Sequence, residues 1–223
     1  MAKTAEEIKQ ELEENGQKIE DVNVLFLDVS STCTGYAIAS LNFNTLNASL
    51  NKAGVIWLND KWTHAEKYSY LGNSISNYFW ITEKIDYIVA EQYSVSGKRQ
   101  LGTLVVPEAI GALKAYAHDV GGINIDTILP QSWRSTLKIK PKTYKNKKGE
   151  TKRDFKEPTA QIIENRVKDI PKEMTSNITR KQRKTPSDLY DAIGISLAWI
   201  ERLGFRHIDT NNVVFNDHLG VVE

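Results

Sequence analysis

The feature that most constrains this sequence is a carboxylate inside an apolar run. The run is Leu25-Phe26-Leu27-Asp28-Val29, and a polar turn at 30–35 separates it from a second apolar run that begins at Tyr36. Continuous apolar runs of this length are typical of buried strands. A charge in such a strand is costly unless a cation or a hydrogen-bond network compensates it. An Asx turn, in which Asp28 accepts backbone N–H groups from the polar turn, explains the residue equally well.

A third apolar run follows Asp86, from Tyr87 to Ala90, and it also ends in an acid, Glu91. Two strands of one sheet that each end in a carboxylate can bring those carboxylates together. Neither run contains Lys or Arg, so a bound metal ion is the expected counter-charge. Hard divalent cations such as Mg²⁺ take oxygen ligands.

Two further acids, Asp188 and Asp191, open a helical pattern. Thr185, Pro186 and Asp188 form a helix start of the capping-box type, and an acid in the first turn also complements the helix dipole. Capping explains Asp188 alone as well as metal binding does. It does not explain the pair, whose i, i+3 spacing places both carboxylates on one helix face. The predicted core stripe of this helix is separate and consists of Leu189, Ile193, Ser196, Leu197, Ile200 and Leu203.

These motifs resemble the RuvC-type Holliday junction resolvases of the RNase H-like superfamily, including their phage-type branch. Residues 28–36 are similar to that family's D-P-G-S-x-x-T-G-Y/W turn, with Val29 and Ser30 in place of Pro and Gly. Residues 90–93 are similar to its I-E-Q-V/x-F segment, 130–134 to its P-x-x-V/W-K/R segment, and 188–192 to its D-x-x-D-A helix. The motifs occur in the family's order from about residue 22 to 203.

The resemblance implies an α/β, RNase H-like fold with a five-stranded mixed sheet in the order 3-2-1-4-5, flanked by helices. It implies that Asp28, Glu91, Asp188 and Asp191 hold two Mg²⁺ ions, or Mn²⁺ as a substitute, with Asp28 bridging them. It also implies metal-dependent hydrolysis of a DNA phosphodiester at a four-way junction. Lys156, or Lys152 in the same segment, is the expected cation beside the scissile phosphate.

Positive charge is concentrated in one part of the chain. Residues 134–184 hold 17 Lys and Arg against 6 Asp and Glu, although the net charge of the whole chain is only +1. A basic segment next to an acidic site can draw a phosphate past the repulsion of the carboxylates, although a merely solvated loop has the same composition. The candidate DNA contacts are Tyr93, Lys98, Arg99, Arg134, Lys138, Lys140, Lys147, Lys148, Lys152, Arg153, Lys181, Arg183 and Lys184. Tyr93 is expected either to stack on a base or to pack in the core, and Arg134 to contact the DNA backbone.

The sequence divides into a charged extension at 1–21, a nuclease domain at 22–205 with a basic insertion at about 138–156, and a tail at 206–223. The extension is expected to be an exposed helix or a frayed arm. Gly35 is expected to permit a tight turn, and Pro130 to end the fifth strand. The predicted strands are 23–30, 35–41, 53–58, 86–91 and 123–129, and the predicted helices are 63–83, 101–119, 131–137, 157–168 and 185–203.

The single cysteine, Cys33, excludes an intramolecular disulfide, and there is no 18-residue apolar run or signal peptide. We therefore expect a soluble protein of the bacterial cytoplasm or of a phage-infected host's cytoplasm, with no membrane contact. A two-fold junction favours a homodimer, with contacts expected at 101–119 and at the aromatic-rich segment 68–85.

Three alternatives remain. A flap or an RNA–DNA hybrid could replace the junction as substrate, and a DNA-binding protein on this fold could lack cleavage activity. An actin-like ATPase or kinase also begins with a strand Asp and a Ser/Thr/Gly turn, but it needs a second D-x-G-G turn and a duplicated domain. The sequence shows no duplicated domain.

Overall fold

The computed structural model describes residues 3–76, 83–92, 105–121, 123, 125–176, 178–179 and 181–216. Its helices are α1 Ala5–Glu14, α2 His64–Ser74, α3 Val105–Gly121, α4 Pro130–Thr136, α5 Lys156–Glu164 and α6 Ser187–Arg202. Its longer strands are β1 Val22–Val29, β2 Cys33–Asn42, β3 Asn47–Trp57, β4 Tyr87–Glu91 and β5 Ile125–Ile128. Its shorter strands are β6 Lys142–Lys145, β7 Thr151–Asp154, β8 Glu173–Thr175, β9 Gln182–Lys184, β10 His207–Asp209 and β11 Val214–Asn216.

The central sheet has the order β10-β3-β2-β1-β4-β5, and β11 also pairs with β3. Strands β1, β2 and β3 are antiparallel neighbours, whereas β4 and β5 run parallel to β1. The predicted order 3-2-1-4-5 is therefore confirmed. The predicted count of five strands is too low, because β10 and β11 from the tail add to the outer side of β3.

Successive side chains of β1 point to opposite faces of the sheet, so the strand contributes to two core layers. Val22, Val24 and Phe26 face one side of the sheet, and Leu25 and Leu27 face the other. Helix α6 covers the first side, and α2 and α3 cover the second. The ring of Phe26 packs edge-on against Trp199 of α6, with centroids 5.5 Å apart. The result is an α/β/α sandwich with β1 at its centre.

Helix α1 packs one face against the core, so the extension is a helix as expected, but it is neither fully exposed nor a frayed arm. Ile8 and Leu12 are each only 1% exposed and belong to the core layer beneath α6. They are separated by one helical turn and therefore lie on one face. A complete capping box between Thr4 and Glu7 begins the helix.

Strand β3 begins six residues earlier than predicted, at Asn47 instead of residue 53. The predicted strands leave residues 42–52 as a turn between them, and the stretch Asn-Ala-Ser-Leu-Asn within it is mostly polar. In the structure its polar side chains bond laterally: Ser49 Oγ donates to Asn51 Oδ1 at 2.8 Å, and Asn51 Nδ2 donates to Ser40 Oγ at 2.6 Å. The turn is reduced to residues 43–46.

The basic segment folds into two short antiparallel hairpins, β6–β7 and β8–β9, where the sequence predicted a loop. The other predicted helices and strands are present with ends shifted by a few residues, as far as the described ranges extend. Parts of two predicted helices, at 77–82 and 101–104, lie outside those ranges. No helix in the described part of the chain is long and apolar enough to cross a membrane.

Candidate active site

Two of the acids lie at the ends of adjacent parallel strands. The register of β1 with β4 pairs Phe26 with Val89 and Leu27 with Ala90, so Asp28 and Glu91 follow as the next pair. Phe26 and Val89 both belong to the core layer beneath α6. Asp28 and Glu91 lie two residues further along their strands, and therefore on the same side of the sheet.

Gly35 brings the first turn of α6 onto this edge. It pairs with Asp28 across β1 and β2. A Cβ atom on Gly35 would lie 1.9 Å from the backbone oxygen of Asp188. The glycine is needed for this close approach and not for a tight turn as predicted, since it lies within β2 and is not among the glycines with positive φ.

The start of α6 differs from the predicted capping box. The Thr185 hydroxyl donates to the carbonyl of Pro171, and Pro186 is the N-cap without a side-chain cap. Asp188 is therefore not a member of a capping box. Its carboxylate forms a hydrogen bond with the Cys33 thiol, and burial, followed by the charge of Asp188, raises the pKa of that thiol. The predicted core stripe of α6 is buried as expected.

Arg134 lies among the carboxylates. Its Nη2 is 3.6 Å from Glu91 Oε1 and 3.6 Å from Asp191 Oδ2, and its side chain is 19% exposed. The guanidinium lies 4.7 Å from the centroid of the Trp133 ring and 5.0 Å from that of Phe155. In the structure this residue is a partial counter-charge of the acids, and the DNA backbone contact that the sequence predicted for it stays a prediction.

Trp133 is a site residue that the sequence reasoning did not assign. It is fully buried, and its Nε1 donates to Glu91 Oε1 at 2.7 Å. Gly194 of α6 makes room for the indole, since a Cβ there would lie 2.7 Å from the ring. The family-like segment at 130–134 includes this tryptophan, but the resemblance predicted a role only for Arg134.

The four carboxylates, of which Asp28 is buried and the others are half-buried, interact electrostatically. Burial raises the pKa of Asp28 well above its usual 3.8, and the charges of Glu91, Asp191 and Asp188 raise it further. Burial also raises the pKa of Glu91, against the hydrogen bond from Trp133 and the charge of Arg134. The pKa of Asp191 is raised to about 7 by burial, although Arg134 opposes the shift.

This donor set fits a hard divalent cation in type, charge and burial. Asp28 is only 9% exposed, and a buried, ionised carboxylate needs a partner. Within the described ranges, however, no three His, Cys, Asp or Glu side chains are gathered closely enough to hold a metal ion in their present positions. The carboxylates therefore form an electrostatically coupled group that a bound cation would have to draw together.

Two of the predicted cationic residues, Arg134 and Lys156, act electrostatically on this group. Lys156 begins α5, and its charge lowers the pKa of Asp191. Lys152 lies in the β6–β7 hairpin, 3.2 Å from Glu150. The remaining described candidates are exposed: Lys138, Lys140, Lys147, Lys148, Arg153, Lys181, Arg183 and Lys184. Tyr93, Lys98 and Arg99 lie outside the described residues.

The sheet order, the helix across β1 and the acids on β1, β4 and α6 define an RNase H-like fold. No family model matches the sequence, and no curated protein matches it either. Solved structures do match. Thermus thermophilus RuvC in complex with a Holliday junction substrate is 16% identical, with a TM-score of 0.54 over 82% of this chain and 97% of that one. Fowlpox virus resolvase in complex with Holliday junction DNA is 12% identical, with a TM-score of 0.53 over 82% and 99%. The chain therefore has the fold of the RuvC-type resolvases.

Proposed function

We propose that this chain is a metal-dependent endonuclease that resolves four-way DNA junctions. The observation that carries the proposal is the electrostatically coupled group Asp28, Glu91, Asp188 and Asp191 at one edge of the sheet, in which Asp28 is buried, the other three are half-buried, and Arg134 is a partial counter-charge. Structural carboxylates are normally paired completely, because an excess of buried negative charge is destabilising. The fold itself supports the choice of substrate, since similar structures were solved with junction DNA.

The four acids would hold two Mg²⁺ ions, or Mn²⁺ in their place, which would supply Lewis acidity to the scissile phosphate and to the attacking water. The chain's own residues position these ligands. Trp133 fixes the orientation of the Glu91 carboxylate through its 2.7 Å hydrogen bond. Arg134 reduces repulsion between Glu91 and Asp191, and Lys156, whose charge acts on Asp191, would neutralise charge on the incoming phosphate.

The exposed basic residues of the two hairpins would bind the DNA backbone. They belong to a segment with an excess of 11 positive charges, whereas the rest of the chain has an excess of ten negative charges. Attraction to phosphate is long-ranged and independent of sequence, so it can hold the DNA over the acids. Lys142 contacts Glu157 within the protein and is therefore less available for DNA.

A homodimer would match the two-fold symmetry of the junction and place one site on each of the two strands to be cut. Helices α2 and α3, which lie on the side of the sheet away from α6, are the proposed interface. Within the described residues, Tyr68 of α2 donates to Glu108 of α3 at 2.9 Å and Trp62 packs against Tyr70 at 5.0 Å. The aromatic residues Tyr78, Phe79 and Trp80 lie outside the described ranges.

Cleavage assays on a four-way junction, a flap, an RNA–DNA hybrid and a linear duplex test the proposal. We expect Mg²⁺-dependent paired cuts in the junction and little cleavage of the duplex. Preferential cleavage of the flap or hybrid would show that the protein is a nuclease with a substrate other than the four-way junction. An absence of cleavage with Mg²⁺ and Mn²⁺ on every substrate would refute the nuclease itself.

A further inference from the structure

The β6–β7 hairpin is a preformed projection with no role in the core. Every residue of β6 is exposed, and so is every residue of β7 except the half-buried Asp154. Asn146 organises the turn: its Oδ1 accepts from the backbone N–H groups of Lys148 at 3.0 Å and Glu150 at 2.9 Å, and its Nδ2 donates to Glu150 Oε2 at 2.8 Å. Gly149 supplies the positive φ of 76° that the turn requires.

The two faces of this hairpin both present cations. Directly opposite residues share a face, and the register pairs Tyr144 with Lys152 on one face. Arg153 lies on the other face, opposite Thr143, and Lys145 follows Thr143 on that face. In the described part of the chain Lys145 and Arg153 form no ion pair. A segment that lies along one side of a duplex needs cations on one face only, whereas cations on both faces suit a position between two phosphate backbones.

Tyr144 is the second unusual feature of the hairpin. Its side chain is 54% exposed, and it is one of three large hydrophobic residues exposed in the described ranges. It gives nothing to the core, and Lys142 and Lys152, which are paired with Glu157 and Glu150, lie on its face. An aromatic ring beside cations is the arrangement with which proteins bind unpaired nucleotides, because every base has a face for stacking and carries a phosphate.

The base of the hairpin is connected to the carboxylates. Asp154 Oδ1 accepts from the backbone N–H of Lys156 at 3.0 Å, which fixes the end of β7 to the start of α5. Phe155, between them, packs against the guanidinium of Arg134, which is 3.6 Å from Asp191. The hairpin therefore projects from the site at a fixed position.

We propose that the β6–β7 hairpin enters the open centre of the branched DNA, where Tyr144 stacks on an unpaired base and Lys145 and Arg153 contact phosphates. This inference rests on the proposed function, since it names the part of the substrate that the hairpin recognises. A nucleic acid is favoured over a protein partner because the hairpin and its turn contain six Lys and Arg residues against two acids. Two paired strands, about 4.8 Å apart, are narrow enough to pass between DNA backbones that a major groove separates by about 12 Å.

The test compares Tyr144→Ala and Tyr144→Phe with the control Thr143→Ala. Thr143 is the residue next to Tyr144, and it is exposed on the opposite face of the hairpin. Fluorescence anisotropy in EDTA measures the affinity of each variant for a labelled four-way junction, a linear duplex and an oligo-dT strand. We expect Tyr144→Ala to bind the junction and the oligo-dT strand about five- to a hundredfold more weakly, as loss of one stacked base predicts. Duplex affinity should be unchanged. Tyr144→Phe retains the ring and should bind like the wild type.

Photo-cross-linking shows directly which part of the DNA the hairpin contacts. A junction with 5-iodouracil at the branch point should cross-link to the peptide that contains Tyr144, and a junction with the same base in an arm should not. Equal affinities of Tyr144→Ala and Thr143→Ala for the junction and the oligo-dT strand would overturn the proposal, as would cross-linking confined to the arms. A wild-type protein without preference for the junction over the duplex would refute the proposed function separately. The oligo-dT comparison would then still decide whether Tyr144 stacks on bases.

Discussion

Replacing Gly35 by Ala tests how closely the sheet and α6 approach each other at the carboxylates. The new Cβ would lie 1.9 Å from the backbone oxygen of Asp188, 2.3 Å from its carbonyl carbon and 2.9 Å from the nitrogen of Leu189. All three are backbone atoms, so no change of rotamer can relieve the overlap. Ordinary contact begins at 3.4 Å, so the first turn of α6 must move away by roughly 1.5 Å.

The displacement should affect both stability and activity. Overpacking a core costs about 1–3 kcal/mol, and we expect the upper end of this range because backbone has to move. For a chain of this size, that cost corresponds to a melting temperature lower by about 6–12 °C. Asp188 and Asp191 would move relative to Asp28, and a misplacement of about 1 Å can reduce the rate roughly a hundredfold.

Urea unfolding, thermal unfolding and cleavage of a four-way junction measure these effects. Gly111→Ala is the matched control, because a Cβ there has no atom within 4 Å and lies in the middle of α3. The control should raise the free energy of unfolding by up to about 1 kcal/mol, since alanine favours a helix more than glycine does. A Gly35→Ala variant with wild-type melting temperature and cleavage rate would refute the close approach.

Three further predictions concern the acids and the basic hairpin. Asp28→Asn should abolish cleavage while junction binding persists, because it removes a metal ligand and leaves the phosphate contacts; near-normal cutting would contradict the metal site. In EDTA, stability should fall as the pH rises from about 4 to about 7. The folded protein retains a proton on Asp191, with its pKa near 7, that the unfolded chain loses near 3.8. Asp191→Asn should flatten this dependence in urea titrations, and an unchanged pH dependence would contradict the shift. Reversing the charges of Lys147 and Lys148 should lower the slope of log K against log salt by roughly 0.9 for each lost contact, and an unchanged slope would show that neither residue touches DNA.

Patterns within single segments were sufficient to single out the four acids that the fold brings close enough to interact electrostatically. Asp28 and Glu91 are conspicuous because each interrupts or ends an apolar run, and Asp188 and Asp191 because their spacing defines a helix face. The order of the central strands came from the resemblance and is confirmed. The same local patterns were misleading where polar residues form strands, as Ser49 and Asn51 do.

Contacts between distant segments could not be predicted in this way. The role of Gly35 depends on the backbone of Asp188, more than 150 positions later, and the role of Trp133 depends on Glu91 and on the missing side chain of Gly194. The DNA contact predicted for Arg134 came from the resemblance of residues 130–134 to the family's segment. The distances of 3.6 Å from Arg134 to Glu91 and Asp191 are a property of the folded chain only.

The two short tail strands also determine what the outer side of the sheet presents to other molecules. Strand β10 pairs with Asn47, Ala48 and Ser49 of β3, and β11 pairs with Lys52, Ala53 and Gly54. An uncovered strand of this length exposes a row of unpaired N–H and C=O groups, to which a strand of another chain can add. A chain shortened after α6 would therefore retain all four carboxylates and yet be prone to aggregate through β3.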